Sequence, residues 1–368
     1  MKVLLIDGGI EGHFEIYRNT IIENIHADYT LILPVEDSTQ YKVADNVKKV
    51  AIPEFSYHAL SFTNYRIALQ KLKVLVEKEK PDLIHFLAGD YLNLFMGYGM
   101  SFLRKYYTIA TYHHVTIDYD RKWYELFMRL SMRRVSGMLD EIVVHSDYLC
   151  SLLKRQGIKN GVVVNYPSFL KTSTDKVEEI KCPPELEGIH ISEKVILSLG
   201  ATRRDKGLDI LLKALQNVSS PFHIIIAGKE QDITIDEIRS LTASYSGQVT
   251  MIMRYISDSE MSFLIQHCDI VAVPYRRQFN GASGPMIDGV AYGKWIIGPD
   301  CGEIGNTISK YHVGEVFKAE NIEDLSKKIQ KLVLCNTEYD DVAKEYIEKL
   351  SSQRFVEKYR RSYKKTHD

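Results

Sequence analysis

Short apolar, β-branched runs alternate with helical stretches in two successive series along this chain, and that double alternation constrains the fold more than any other feature. In the first series the runs lie at residues 3–6, 30–33, 83–87, 108–112, 142–145 and 162–165. Their apolar residues are consecutive rather than alternate, as in strands buried on both faces. Helical patterns fill the gaps at 12–25, 65–79, 91–104, 123–135 and 148–156. The stretch 167–188, which is rich in Lys, Glu, Ser and Thr and carries Pro183 and Pro184, breaks the rhythm. Alternation then restarts, with strands at 195–199, 223–227, 249–253, 270–274, 295–298 and 315–317 and helices including 207–215, 259–267, 285–292 and 322–334. Strand–helix alternation of this kind implies parallel sheets covered on both sides. The expectation is an α/β chain of two Rossmann-like, doubly wound domains facing a central cleft, with ligands at the C-terminal ends of the strands. The domains are set at 1–170 and 191–345, with a linker at 171–190. A last helical stretch, 342–365, is long enough to cross back to the first domain, and residues 346–368 are assigned to that crossing.

Size and composition bound the function. A chain of 368 residues suits two domains. A net charge of −1 supplies no basic field of the kind that nucleic acid requires. The five cysteines, Cys150, Cys182, Cys268, Cys301 and Cys335, are odd in number and widely spaced. They read as free thiols in a reducing compartment, without metal. The apolar run at residues 3–6 is too short for a signal-peptide core, and no run approaches a membrane span. The expected location is cytoplasmic, at most at the inner face of a membrane.

The richest chemistry lies just after the first strand of the second series. Gly200, Arg203, Arg204, Lys206 and Gly207 sit between a strand and a helix start. A helix N-terminus offers unpaired N–H groups and partial positive charge. Arginine adds a planar fork and lysine a point charge, and both suit a diphosphate. The order Lys-Gly, with no Ser or Thr following, excludes a P-loop. Residues 279–289 form a second small-residue turn that opens a helix at Pro285, a residue favoured in the first helical turn. Either turn alone also describes a polar helix cap; two in one domain, each after a parallel strand, point to an anion site.

The second half resembles the donor domain of the family-4, or group 1, glycosyltransferases, which are retaining and have the GT-B fold. The likeness runs through the turn from Gly200 to Gly207, through Ile226, Ala227 and Gly228, and through residues 254–258, 268–275 and 293–302. In the first half, Gly8, Gly9, Gly12 and His13 resemble the family's first glycine-rich loop, and Thr111, Tyr112 and His113 its Thr–apolar–His motif. The resemblance implies that Arg203 and Lys206 neutralise a leaving nucleoside diphosphate and that His113 faces the donor sugar. It also implies that Gly9 and Gly12 let a loop close on phosphate and acceptor, and that Ser283, Gly284, Pro285 and Met286 cradle the distal phosphate. The backbone near Ile256 would hold the base. The family places two glutamates eight positions apart; here those positions are Asn280 and Asp288. Asp288 can still accept hydrogen bonds from ribose hydroxyls, whereas Asn280 is neutral. The implied reaction is metal-independent, retaining transfer from a nucleotide-diphosphate sugar to a glycan or lipid-linked acceptor, with no cofactor. A non-hydrolysing sugar-nucleotide epimerase, a degenerate nucleotide-sugar-binding paralogue and a nicotinamide enzyme stay as alternatives.

Three weaker signals are read conservatively. His113 and His114 are neighbours on a strand and point to opposite faces, so they do not chelate one ion. Asp118 and Asp120 match an Asp-x-Asp metal motif, but they precede a helix, where Asp120 fits an N-cap. Trp123, Phe127 and Leu130, with Arg121, Lys122, Arg129, Arg133 and Arg134 beside them, form an amphipathic helix. It is read as packing its apolar stripe on the sheet rather than resting on anionic lipid.

Overall fold

Parallel pairing of apolar runs builds both halves of the chain. The computed structural model describes all residues except 9–12, 36–42, 45–46, 57–60, 116–121, 171–179, 246, 280–282, 337 and 368. The chain divides into two compact units, Met1–Asn165 with Gln353–Asp368, and Tyr166–Ser352.

In the first unit the strands are β1 (Lys2–Ile6), β2 (Asp28–Leu33), β3 (Lys48–Ala51), β4 (Leu83–Phe86), β5 (Tyr107–Tyr112), β6 (Glu141–Val144) and β7 (Gly161–Val163). They form one parallel sheet in the order β3-β2-β1-β4-β5-β6-β7, so the strand order reverses between β1 and β4. The helices are α1 (His13–Asn24), α2 (Phe62–Glu79), α3 (Lys122–Ser136) and α4 (Asp147–Arg155). Leu4, Ile6, Ile84, Phe86 and Ala110 line the core on one face of the sheet. On the other face His85 bonds Thr111 Oγ1 (2.9 Å) and Tyr363 Oη (2.8 Å), and Thr111 also bonds Tyr359 Oη (2.8 Å).

The second unit repeats the plan with β8 (Lys194–Leu199), β9 (Phe222–Ala227), β10 (Gln248–Ile252), β11 (Ile270–Ala272), β12 (Trp295–Pro299) and β13 (Gly314–Phe317), in the order β10-β9-β8-β11-β12-β13. Its helices are α5 (Leu208–Leu215), α6 (Ile235–Thr242), α7 (Asp258–His267), α8 (Gly284–Ala291), α9 (Gly302–Tyr311), α10 (Ile322–Leu334) and α11 (Asp341–Lys349). Val195, Leu197 and Leu199 feed one core while Ile196 feeds the other, the period of two that a strand covered on both faces requires.

The elements depart from the sequence reading in three places. The edge strand β3 went unread, because Lys48 and Lys49 leave it no apolar run; charge on an edge strand guards against stray pairing. Residues 91–104 are not one helix but two 3-10 segments, Asp90–Phe95 and Met100–Lys105, separated by Met96, Gly97 and Gly99 at positive φ. The final helical stretch is also split: α11 ends at Lys349 with Leu350 as its cap, and α12 (Ser352–Lys364) follows, largely within the first unit.

Candidate functional site

The turn after β8 sits at the strand-order reversal of the second sheet, between β8 and β11, where doubly wound folds bind ligands. A small pocket there is lined by residues at the ends of β8, β9 and β11, among them Gly200, Thr202, Lys206 and Tyr275. Gly200 has φ +122°, and a β-carbon on it would fall 2.5 Å from Lys206 Nζ, so the lysine folds back over the start of its own turn. A 3-10 turn, Arg204–Lys206, leads into Gly207 at φ +65° and then α5. A β-carbon at Gly207 would fall 2.1 Å from the Pro274 carbonyl oxygen, so only glycine lets this turn close against the end of β11.

The cations of this turn differ in their engagement. Arg203 Nε donates to Asp205 Oδ1 at 3.0 Å. Arg204 forms a two-pronged pair with Glu237 at 3.0 and 2.9 Å. Arg276, just past β11, pairs bidentately with Asp209 at 3.1 and 2.8 Å, and its backbone N–H donates to Asp205 O at 2.8 Å. Lys206 has no ion pair among the described residues. Its Nζ lies 6.0 Å from the Tyr275 ring centroid. Burial, with Arg203 nearby, lowers its pKa from the usual lysine value. Asp205 offsets part of that fall, yet it is held by Arg203, and a half-buried ammonium with no ion pair among the described residues is what a diphosphate would neutralise.

Ser283 caps α8. Its Oγ accepts from Met286 N at 3.3 Å and donates to Tyr275 Oη at 3.3 Å, and the side chain is buried. The Met286 amide and the Ser283 hydroxyl are thus engaged within the fold. Pro285 has no N–H, which leaves Gly284 as the first-turn donor of α8. Farther along α8, Asp288 Oδ1 accepts from Ser168 Oγ at 2.8 Å. Burial raises the Asp288 pKa to about 7 against that hydrogen bond, with Asp258 adding to the rise. Ile256 lies buried in the turn between β10 and α7. Arg254 braces this turn through Glu185 (2.8 Å) and Glu260 (2.7 Å), and Ser257 with Glu260 forms a capping box on α7.

His113 belongs to the first unit, directly after β5. Its backbone N–H donates to Asp90 Oδ2 at 3.2 Å, and Nε2 pairs with the Leu87 carbonyl at 2.9 Å. The ring therefore donates through Nε2 and presents Nδ1 as an acceptor. Its centroid lies 4.9 Å from that of His145. Burial, reinforced by His145, lowers the His113 pKa to about 3, so the imidazole is neutral at physiological pH. Burial raises the Asp90 pKa to about 7, against hydrogen bonds from His114 and His113.

Arg203, Lys206, Ser283, Gly284, Pro285, Met286, Asp288 and Ile256 all fall in the second unit, and Tyr275 joins the Lys206 turn to Ser283. Gly9, Gly12, Asn280 and the pair Asp118 and Asp120 lie outside the described residues. Tyr275 and Arg276 were missed as site residues. Their only sequence signal was their place just beyond the strand at the order reversal. No group of three or more His, Cys, Asp or Glu suited to a metal occurs among the described residues.

Residues 186–350 match the family model of glycosyl transferases group 1. An uncharacterized glycosyltransferase of Methanocaldococcus jannaschii, MJ1178, is 25% identical over 177 residues, or 47% of this chain and 48% of that protein. The chain thus spans about half the length of the curated relative it matches. The apo form of the lipopolysaccharide outer core galactosyltransferase WaaB is similar at a TM-score of 0.72 and 16% identity over 99% of both chains. Anabaena Alr3699/HepE, in complex with UDP, is similar at a TM-score of 0.71 and 12% identity, over 99% of this chain and 100% of that one. The fold is GT-B.

Proposed function

We propose that this chain, whose residues 186–350 carry the group 1 glycosyl transferase domain, is a retaining glycosyltransferase that takes its sugar from a nucleotide-diphosphate donor. The observation that carries the reading is the half-buried Lys206 at the strand-order reversal, without an ion pair among the described residues and beside arginines already engaged by carboxylates. The UDP held by the HepE structure supports the same ligand class.

On this reading the chain's own groups do the following work. Lys206 and the Gly284 amide stabilise charge that develops on the departing diphosphate, and each such preorganised donor contributes about 3 kcal/mol in the transition state. Arg203 exchanges its Asp205 partner for phosphate. Asp288 accepts from the ribose hydroxyls, and the backbone around Ile256 faces the base. His113 Nδ1, a neutral acceptor, takes a hydrogen bond from a donor-sugar hydroxyl. With no carboxylate nucleophile assigned, retention proceeds by front-face attack: the acceptor oxygen bonds the anomeric carbon, the bond to the β-phosphate breaks, and the acceptor proton passes to the leaving phosphate oxygen. The reaction needs neither a metal nor a cofactor. The acceptor is a glycan or a lipid-linked sugar in the building of cell-surface polysaccharide or glycolipid, at the inner face of the membrane.

Titration with UDP, GDP and ADP, followed by their sugars, tests the reading. Binding of a nucleoside diphosphate that Lys206→Ala weakens is the expected result, with turnover that survives EDTA. Failure of all three nucleotides to bind would sink it, and conversion of donor without any acceptor would replace it with an epimerase.

A further inference from the structure

The helix α3 does not bury the stripe its sequence offers. Trp123 is 64% exposed, Leu126 56% and Leu130 50%, while Ser131, Met132 and Val135 on the other side are buried. The expectation that the stripe of Trp123, Phe127 and Leu130 packs on the sheet therefore fails for Trp123 and Leu130, while Phe127 is half-buried. Ser131 and Val135 take that inner place: Ser131 Oγ donates to Asn93 O, and Val135 meets the turn at Gly97. The exposed surface continues onto that turn, where Leu94 and Tyr98 are exposed, and the Phe62 ring lies tilted against Tyr98 with centroids 5.4 Å apart.

Charge borders the same face. At about 100° per residue, Trp123, Leu126 and Leu130 share one arc of the helix. Lys122, Arg129 and Arg133 flank that arc on one side and Arg134 on the other, all exposed. The helix has one acid, Glu125, and it is paired with Arg129 at 2.6 Å. Aliphatic side chains and a tryptophan at the centre, with long cationic side chains at the rim, match a bilayer interface: the apolar groups enter the acyl boundary and the cations reach lipid phosphates.

We propose that this face of α3 docks on an anionic lipid bilayer, through Trp123, Leu126 and Leu130 with Lys122 and Arg134 on headgroups, since Arg133 Nε donates to the Gln156 carbonyl at 2.7 Å. The inference deepens the membrane contact of the proposed function and rests on that reading for its purpose, not for its geometry.

The chain's two tryptophans are Trp123 and Trp295, so Trp295→Phe leaves a single reporter on the docking face. Its emission should shift to the blue with vesicles of mixed phosphatidylglycerol and phosphatidylcholine, but not with phosphatidylcholine alone, and high salt should reverse the shift. Leu126→Ser with Leu130→Ser should weaken vesicle binding by at least about tenfold, scored by cosedimentation, and leave nucleoside diphosphate affinity unchanged. No shift with anionic vesicles, or undiminished binding by the double variant, overturns the proposal. A vesicle-independent shift that grows with protein concentration alongside a dimer mass also overturns it, in favour of a second copy. Nucleotide binding on the same sample separates the outcomes: if it persists while vesicle binding fails, only the docking face is wrong.

Discussion

A β-carbon on Gly200 would lie 2.5 Å from the Nζ of Lys206. The residue that opens the turn therefore decides where the turn's free cation rests. Gly200→Ala should strain a backbone held at φ +122° by about 1–3 kcal/mol and displace the ammonium. Thermal unfolding and nucleotide titration together should show both a lower midpoint and weaker binding. Binding unchanged from wild type would mean that Lys206 is free to move without consequence.

Lys206→Ala removes the charge and leaves Gly200 uncrowded. Turnover should drop on the order of a hundredfold, with the melting temperature nearly unchanged. Steady-state rates under saturating donor check this, and full activity would take Lys206 out of the site.

Arg276 ties the end of β11 to the Lys206 turn through Asp209 and the Asp205 carbonyl. Arg276→Met should strip the buried Asp209 carboxylate of its bidentate partner, leaving only Arg204 at 3.9 Å, and cost roughly 2 kcal/mol. It should raise the KM for donor more than it lowers kcat, because it acts on the position of Lys206. Arg276→Lys restores the charge without the fork and should recover part of the stability. Equal loss in kcat and KM terms, or none, would contradict a positioning role.

Asp288 has a folded pKa near 7, above that of an exposed aspartate. Folding thus favours its protonated form, so its contribution to stability is whole below about pH 4 and is lost as pH rises towards 7. Ribose hydroxyls need it ionised. Nucleotide affinity should therefore rise from pH 6 to 8, by at most about tenfold per unit, and Asp288→Asn should flatten that profile. A wild-type profile already flat over this range would remove Asp288 from the ribose contact.

Two buried histidines, His85 and His145, and the half-buried His113 make the first unit sensitive to acid. Burial lowers the pKa of His85 and His113 to about 3 and that of His145 to about 4. Their neutral forms stabilise the fold fully above about pH 6.5, and that stability is lost as pH falls towards those values. Asp90, raised to about 7, opposes the trend with one group against three. Hydrogen exchange at β4 and β5 amides should quicken from pH 7 to pH 5, after correction for intrinsic rates, and less so in His85→Gln. Equal protection at both pH values would show that these rings stay solvated.

The sequence was most legible where burial is symmetric. Twelve largely apolar runs became strands, because a parallel strand covered on both faces is apolar at most positions, and its buried polar members, such as His85 and Thr111, bond each other. It was least legible where a backbone break or an outside surface decides the outcome. Gly97 and Gly99 divide a helical pattern that hydrophobicity alone continues. The α3 stripe has the spacing of a packed helix, yet the 3-10 turn beneath it accepts the opposite face.

By itself the chain determined that there are two parallel α/β units and that a cationic turn follows the first strand of the second. Those properties depend on residue type and local order, which sequence carries directly. Tertiary structure alone decided which cation of the turn makes no ion pair among the described residues, since Asp205, Glu237 and Asp209 claim the arginines through geometry that spacing does not encode. It also decided that the Ser283 hydroxyl, besides making the local cap to the Met286 amide, serves Tyr275, because where Tyr275 points beyond β11 is fixed only once the sheet has formed.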